Sequence, residues 1–449
     1  MTNPRSRVIA AVAGVFSLSA AAWAVDAAPV DSGADAKIRE LEAKVAALEA
    51  KQSPSINDVN ATIDSVLRDA EQRSKLLATG GDAEAGYDNG FYIRQGNFEL
   101  RPSIWMQFRN VLNYREDVSA GKSKQIEDGF EVRRMRLDLS GKAFNNLEYK
   151  FQWEANREGG TVSLLDAYVK YMFNNDWGIK GGQFKDPLTH EKLVSSARQL
   201  AADRTMLDNI MGGSLYDRVQ GVTFIYGGAD PNKGNPWNLE FGLTDGGPSK
   251  NTNFTKHGFD FGLVARAEYK VMGDWRDYRD FTAKDTKKDL LVIGGAVDWS
   301  QAGDGNLVLG TVDAQWENTA GLGIYGAILL AHRDDGFTGS GSTTDWGLLA
   351  QAGYMLNRSW EVFGRLDITM FDNDVTLSGG STEGTFYEVT VGANYYLGPD
   401  GSYGHRAKFT VDLSFLPNGA PAALDGIGVL DANDGGNEIM LRTQFQIMI

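Results

Sequence analysis

The 449-residue chain contains no cysteine, which excludes disulfides and thiolate-bound zinc or iron–sulfur centres. Its four histidines, His190, His257, His332 and His405, are scattered, and none has a metal-type neighbour at helical or hairpin spacing. No nucleophile, base and orienting acid form a catalytic constellation, so neither an enzyme nor a cofactor is expected. Basic residues are in deficit, 44 against 59 acidic, and the formal charge of -15 argues against a nucleic-acid partner. Beyond the N-terminus no apolar run reaches the about 20 residues that a membrane-spanning helix needs. The acidic stretch Asp431–Glu438 lacks the ligand spacing of an EF-hand and reads as a solvated loop.

What the chain does have is alternation. From Ile439 to Ile449, the residues Ile439, Leu441, Phe445, Ile447 and Ile449 share one parity, and Arg442, Gln444 and Gln446 share the other. A strand turns successive side chains to opposite faces, so the segment carries one apolar and one polar face. Residues 146–157, 259–271 and 406–415 repeat the pattern, each at about the ten-residue length of a tilted bilayer-crossing strand. Further candidates start near 103, 130, 164, 177, 218, 237, 289, 306, 321, 345, 359 and 385. These sixteen segments predict an all-β chain, a transmembrane antiparallel β-barrel with its apolar faces outward and a wet interior. The mean hydropathy of -0.31 fits, because half of each strand faces water. Short turns such as 144–146, 174–176 and 357–359 alternate with longer Gly/Asp/Ser-rich connections, the pattern of periplasmic turns and external loops. Trp177, Trp237, Trp299, Trp316, Trp346, Trp360, Tyr395 and Tyr396 recur at strand ends and suit interfacial girdles.

The N-terminus reads as an export leader over 1–24. Arg5 and Arg7 precede an apolar run from Val8 to Ala22, and Ala22-Trp23-Ala24 offers a cleavage site. Residues 25–90 read as a periplasmic segment. Within it, Ile38, Leu41, Val45 and Leu48, then Ile56, Val59, Ile63, Val66 and Ala70, follow 3-4 spacing. The pattern suits a short coiled coil or an amphipathic helix, followed by a linker over Gly80–Gly90. The barrel then spans 91–449.

Parity also assigns the interior. With Met135, Leu137 and Leu139 toward lipid, Arg134, Arg136, Asp138, Ser140 and Lys142 face the lumen, since an arginine at mid-bilayer costs about 2–4 kcal/mol. The same reasoning turns Arg109, Lys150, Lys170, Arg266, Lys270, Arg365, Arg406, Lys408 and Arg442 inward. Such rows attract anions unless they pair across strands, and Glu148, Glu154, Asp166, Glu268, Glu361, Asp367 and Asp412 lie on the same faces.

The block Phe130-Glu131-Val132-Arg133-Arg134-Met135-Arg136-Leu137-Asp138-Leu139-Ser140-Gly141 resembles the second strand of the phosphate-selective porins of the O/P type. It is followed in order by Leu165-Asp166-Ala167-Tyr168-Val169, Gly181-Gly182-Gln183-Phe184-Lys185-Asp186-Pro187 and Asp217-Arg218-Val219-Gln220-Gly221-Val222. The resemblance covers about 130–225. It implies a trimer of sixteen-stranded barrels in a Gram-negative outer membrane, in contact with its lipid and lipopolysaccharide. It also implies passive diffusion of small anions such as phosphate. Residues 185–218 are too long for a turn and too polar for a strand, and their apolar spacing suggests a helical piece. In the family's fold the loop after the fifth strand enters the lumen, so Lys185–Arg218 is expected to form the constriction. Lys185, Lys192, Arg198, Arg204 and Arg218 would be its pore-facing cations, with Asp186, Glu191, Asp203, Asp208 and Asp217 as partners. The net acidity keeps a general or cation-favouring porin on the same scaffold as the alternative.

Overall fold

In the computed structural model the described residues are 36–37, 39–46, 65, 68, 83–88, 90–116, 125–227, 234–256, 258–377, 382–430 and 436–449. The chain divides into two units, Met1–Thr79 and Gly80–Ile449. In the first, residues 39–46 are helical, with Leu41 and Val45 exposed. The expected leader, its cleavage site and most of both apolar repeats lie outside the described residues.

The second unit opens with a hairpin of β1 (Glu84–Tyr87) and β2 (Phe91–Gln95). Its first strand occupies what the sequence suggested was linker. Sixteen longer strands follow: β3 (Phe98–Arg115), β4 (Ile126–Ala143), β5 (Leu147–Ala155), β6 (Val162–Met172), β7 (Trp177–Lys185), β8 (Arg218–Tyr226), β9 (Trp237–Thr244) and β10 (Phe261–Met272). The remainder are β11 (Leu290–Ala302), β12 (Gly305–Glu317), β13 (Leu322–Arg333), β14 (Thr343–Met355), β15 (Trp360–Thr376), β16 (Thr382–Tyr396), β17 (Ala407–Leu416) and β18 (Glu438–Met448). Each pairs antiparallel with the next, and β18 pairs with β3 from Glu438↔Arg115 to Met448↔Trp105. Ile449 completes the seam by exchanging backbone hydrogen bonds with Ile104 at 2.9 and 3.0 Å. Closure leaves the barrel without a free edge, so every strand finds ladder partners on both sides, as a lipid environment requires.

The period-two pattern is realised on both faces. On β15, Val362 and Leu366 are exposed to the outside, while their respective neighbours Glu361 and Asp367 are buried inside. Exposed Leu137 on β4 lies between inward Arg136 and Asp138. Leu137→Arg is therefore expected to cost about 2–4 kcal/mol of barrel stability. Urea unfolding in lipid vesicles measures this, and an unchanged midpoint would contradict the outward assignment.

The turns 144–146, 318–321 and 356–359 share one rim with the C-terminus; short turns mark the periplasmic rim of bacterial barrels. Three tilted aromatic pairs stand at that rim: Trp177–Tyr226, Trp237–Tyr269 and Trp360–Tyr395, with ring centres 4.8, 4.6 and 4.8 Å apart. Tyr396 does not join them. Consecutive strand residues take opposite faces, and Tyr396 is buried inside, its hydroxyl donating to Glu361 at 2.6 Å.

Several connections turn into the barrel, among them the one after β17, whose Gly426, Ile427 and Gly428 carbonyls accept from the inward Arg109, Arg442 and Asn113; two others meet each other inside. The first, 186–217, leaves the opposite rim after β7 and carries helices α1 (His190–Leu193) and α2 (Met206–Ser214). The second, 273–289, starts at the C-terminal rim and buries Trp275, Tyr278 and Phe281. The two meet where the His190 ring stacks on Tyr278 at 3.8 Å. The second segment was not expected from the sequence, although its aromatic content exceeds what a solvated turn needs.

Candidate functional site

Local chemistry builds the first inward segment. Thr189 caps α1 by accepting from the Lys192 amide at 3.2 Å, and Thr205 caps α2 by accepting from the Asp208 amide at 3.0 Å. The free amides at the start of α2 then donate to wall carboxylates, Met206 to Glu388 at 2.8 Å and Leu207 to Asp367 at 3.2 Å. A helix N-terminus favours such anions. Further along the same wall the Ala202 amide donates to Asp412 at 2.8 Å, and Lys408 Nζ donates to the Gln199 carbonyl at 2.6 Å. Leu188, Leu200 and Leu207 pack with Leu307, Leu329, Leu349 and Phe363. The segment thus lies against β12–β18.

Asp203 ties the segment to the adjoining wall, β3 and β4. Its carboxylate accepts from Arg109, from Arg134 at 2.6 Å and from Arg133 at 3.1 Å. Burial pushes this carboxyl up, but Arg133, Arg134 and Arg109 outweigh that and hold it well below the usual carboxylate range. Asp217, at the other end of the segment, is likewise pulled down to about 2, by Lys192, Arg218 and Lys250 against burial. Arg133 was not among the residues the sequence turned inward. Gln107 pairs with Arg134 and Phe108 with Val132, so Arg133 is the extra residue of a β-bulge that turns it inward beside Arg134. The adjacent arginines were the available signal, because a regular strand would press one of them into lipid.

The remaining cations fall into two groups. On the covered side they are sealed. Arg266 binds Asp313 at 2.9 Å and Glu268 at 2.7 Å, Arg365 binds Glu388 at 3.0 Å, and Arg442 binds Asp412 at 2.7 Å. Their side chains are between 0 and 3 % exposed. Lys185 and Arg204 are braces within the inward segment rather than lumen-facing cations. Lys185 Nζ donates to the carbonyls of Lys192 and Leu193 at 2.7 and 3.0 Å, and Arg204 Nη2 donates to that of Val194 at 2.7 Å. Arg218 is buried on Asp166 at 2.7 Å, and Lys192 binds Asp208 at 2.9 Å. Arg406 precedes β17 and sits in the rim turn, donating to the Tyr87 hydroxyl at 2.7 Å; the strand begins one residue later than its alternation suggested. Lys270 lies 5.4 Å from the Trp275 ring centre.

The wall of β4–β9 carries the second group. Arg136 lies over Trp105 at 4.9 Å and binds Glu154 at 2.5 Å. Lys150 stands 3.2 Å from Asp166, Lys170 3.2 Å from Glu148, and Lys142 4.0 Å from Glu148. The side chains of Lys142, Lys150 and Lys170 are 58, 31 and 21 % exposed, so water and solutes reach them as they cannot reach the sealed arginines. Lys180 on β7 lies on the same wall, 2.5 Å from Glu240 and 13 % exposed, and was missed for want of a clear alternating context among the glycines around it. Within the inward segment, the half-buried Arg198 guanidinium makes no hydrogen bond or ion pair among the described residues.

A closed sixteen-stranded barrel with an apolar outside, a charge-lined inside and an inward-folded connection defines a porin-type outer-membrane channel. Within that class, residues 106–269 match the family model of phosphate-selective porin O and P, and the chain is a barrel of the Gram-negative outer membrane. No curated protein matches it significantly. Among solved structures it is similar to an anion-selective porin from Comamonas acidovorans, at 15 % identity and a TM-score of 0.52 over 78 % of this chain and 100 % of that one. It is also similar to OprB of Pseudomonas putida, at 10 % identity and a TM-score of 0.54 over 78 % and 94 %. At these identities the likeness is one of fold.

Proposed function

We propose that the barrel passes small anions such as phosphate by passive diffusion along the β4–β9 wall, with the inward segment Lys185–Arg218 as the constriction. The observation that carries this reading is the exposure contrast: Lys142, Lys150 and Lys170 on β4–β6 stay open to water while Arg266, Arg365 and Arg442 are sealed by carboxylates. An accessible, loosely paired cation raises the local concentration of anions, and a sealed one contributes little beyond packing. Arg136, over Trp105, and Arg198, whose guanidinium is unpaired among the described residues, extend the same path toward the constriction. Guanidinium groups there suit phosphate oxygens, which they meet in a planar fork. Phosphate added to a chloride solution is expected to lower the single-channel current as it occupies the path. A current indifferent to phosphate would contradict the phosphate preference. Export directed by residues 1–24 and assembly as a homotrimer, implied by the family resemblance, belong to the same proposal; chemical crosslinking of intact membranes tests the trimer.

One observation favours a second reading, a general or cation-favouring pore. At the rim opposite the C-terminus a cavity of about 310 Å³ is lined, among the described residues, by Glu127, Asp128, Glu131 and Asp425 with Arg157 as the cation. Arg157 is bound to Glu131 at 3.0 Å and to Asp425, so this mouth presents net negative charge to an entering solute.

A further inference from the structure

Near the C-terminal rim the uncovered wall encloses a cavity of about 470 Å³. Its shape and chemistry exceed what a bare inorganic ion needs. Lys142, Glu148, Lys170 and Lys180 lie in one row across four consecutive strands, because Lys142 pairs with Glu148, Glu148 with Lys170, and Lys170 with Lys180. Lys170 and Lys180 are therefore direct cross-strand neighbours on one face. Like charges in that position repel and destabilise the sheet unless something anionic stands between them. Glu148 serves Lys170 from one side and Glu240 serves Lys180 from the other, each from the flank away from the second lysine. Both lysines line the cavity, and Lys180 Nζ also lies 3.9 Å from the Phe184 ring centre.

The next row supplies a different surface. Ser140 pairs with Lys150, and Lys150 with Tyr168. Tyr168 and Asn238 line the same cavity. The Tyr168 ring centre is 5.8 Å from Lys180 Nζ. An aromatic face, a hydroxyl and an amide beside a lysine pair recognise an organic body attached to an anionic head.

Resting on the anion reading above, we propose that this vestibule binds small organic phosphates. The phosphoryl group lies between Lys170 and Lys180, and the hydroxylated body lies against Tyr168 and Asn238. The lysines suit this role because their ammonium groups are flexible point charges that can turn from a single carboxylate toward a dianion. Full removal of Lys180 relieves the like-charge contact, so the variant barrel is expected to fold.

The test measures block of chloride current in planar bilayers by glucose 6-phosphate, inorganic phosphate and glucose, each added from either side. Glucose 6-phosphate is expected to block at a lower concentration than inorganic phosphate, more strongly from the C-terminal side, and glucose is expected not to block. Lys180→Gln should raise the blocking concentration of glucose 6-phosphate roughly five-fold, the size of one lost charge-assisted contact. Tyr168→Leu should weaken block by the organic phosphate and leave that by inorganic phosphate unchanged. Equal block by both phosphates, or block insensitive to both variants, would overturn the vestibule proposal and leave the anion pore standing. Absence of block by either phosphate would overturn both.

Discussion

Asp203→Ala is expected to free the inward segment from the β3–β4 wall and to enlarge the single-channel conductance. The carboxylate is fully buried and receives three guanidinium groups, Arg109, Arg133 and Arg134. Removing it leaves three buried positive charges with Glu131, on Arg109, as their remaining carboxylate contact in this cluster. Breaking a buried ion pair from one side costs about 3–5 kcal/mol. The barrel ladder does not depend on Asp203, so the cost falls on the local contact rather than on the fold. Anchors on the other wall, at Glu388, Asp367 and Asp412, keep the segment inside the lumen. The freed arginines move toward water, so conductance and preference for anions should rise together. Conductance equal to that of the parent would show that Asp203 does not hold the segment in place.

The double change Arg136→Glu and Lys150→Glu should have the largest effect on selectivity. Both residues lie on the uncovered wall, and the pair of substitutions turns two positive charges into two negative ones. Local fields in a narrow, low-dielectric passage set which ion is concentrated there, so the reversal potential under a salt gradient should move to the cation side. Arg365→Gln is the control. That arginine is sealed on Glu388 with 1 % of its side chain exposed, so its loss should destabilise the protein by about 3–5 kcal/mol and leave selectivity unchanged. A selectivity shift in Arg365→Gln comparable to that of the double variant would mean that the path follows the other wall.

Much of this architecture was legible in the sequence because a strand reports its faces locally. Alternation placed all sixteen barrel strands, and the lipid cost of a charge turned Arg134, Arg136 and Lys150 inward. What escaped depended on departures from the period or on distant partners. The bulge at Arg133 breaks the count by one, and Arg406 falls just outside its strand, so parity misreads both. Tyr396 followed Tyr395 into a presumed girdle that two consecutive residues cannot share. The pairing that separates sealed from open cations joins residues far apart in the chain, as when Asp203 meets Arg109 or Asp313 meets Arg266. No local pattern encodes which carboxylate the inward segment brings to which arginine. The second inward segment, 273–289, was missed because its length suited a loop, although Trp275, Tyr278 and Phe281 have no reason to be in water.

On the proposed reading, the open basic wall governs which ions pass. The reversal potential of the purified protein in a planar bilayer under a KCl gradient tests it most directly. An anion-selective sign that weakens as salt rises is the predicted result, since screening shortens the reach of exposed lysines more than that of buried pairs. A cation-selective sign would contradict the account and assign control of the pore to the acidic mouth around Glu127, Asp128, Glu131 and Asp425.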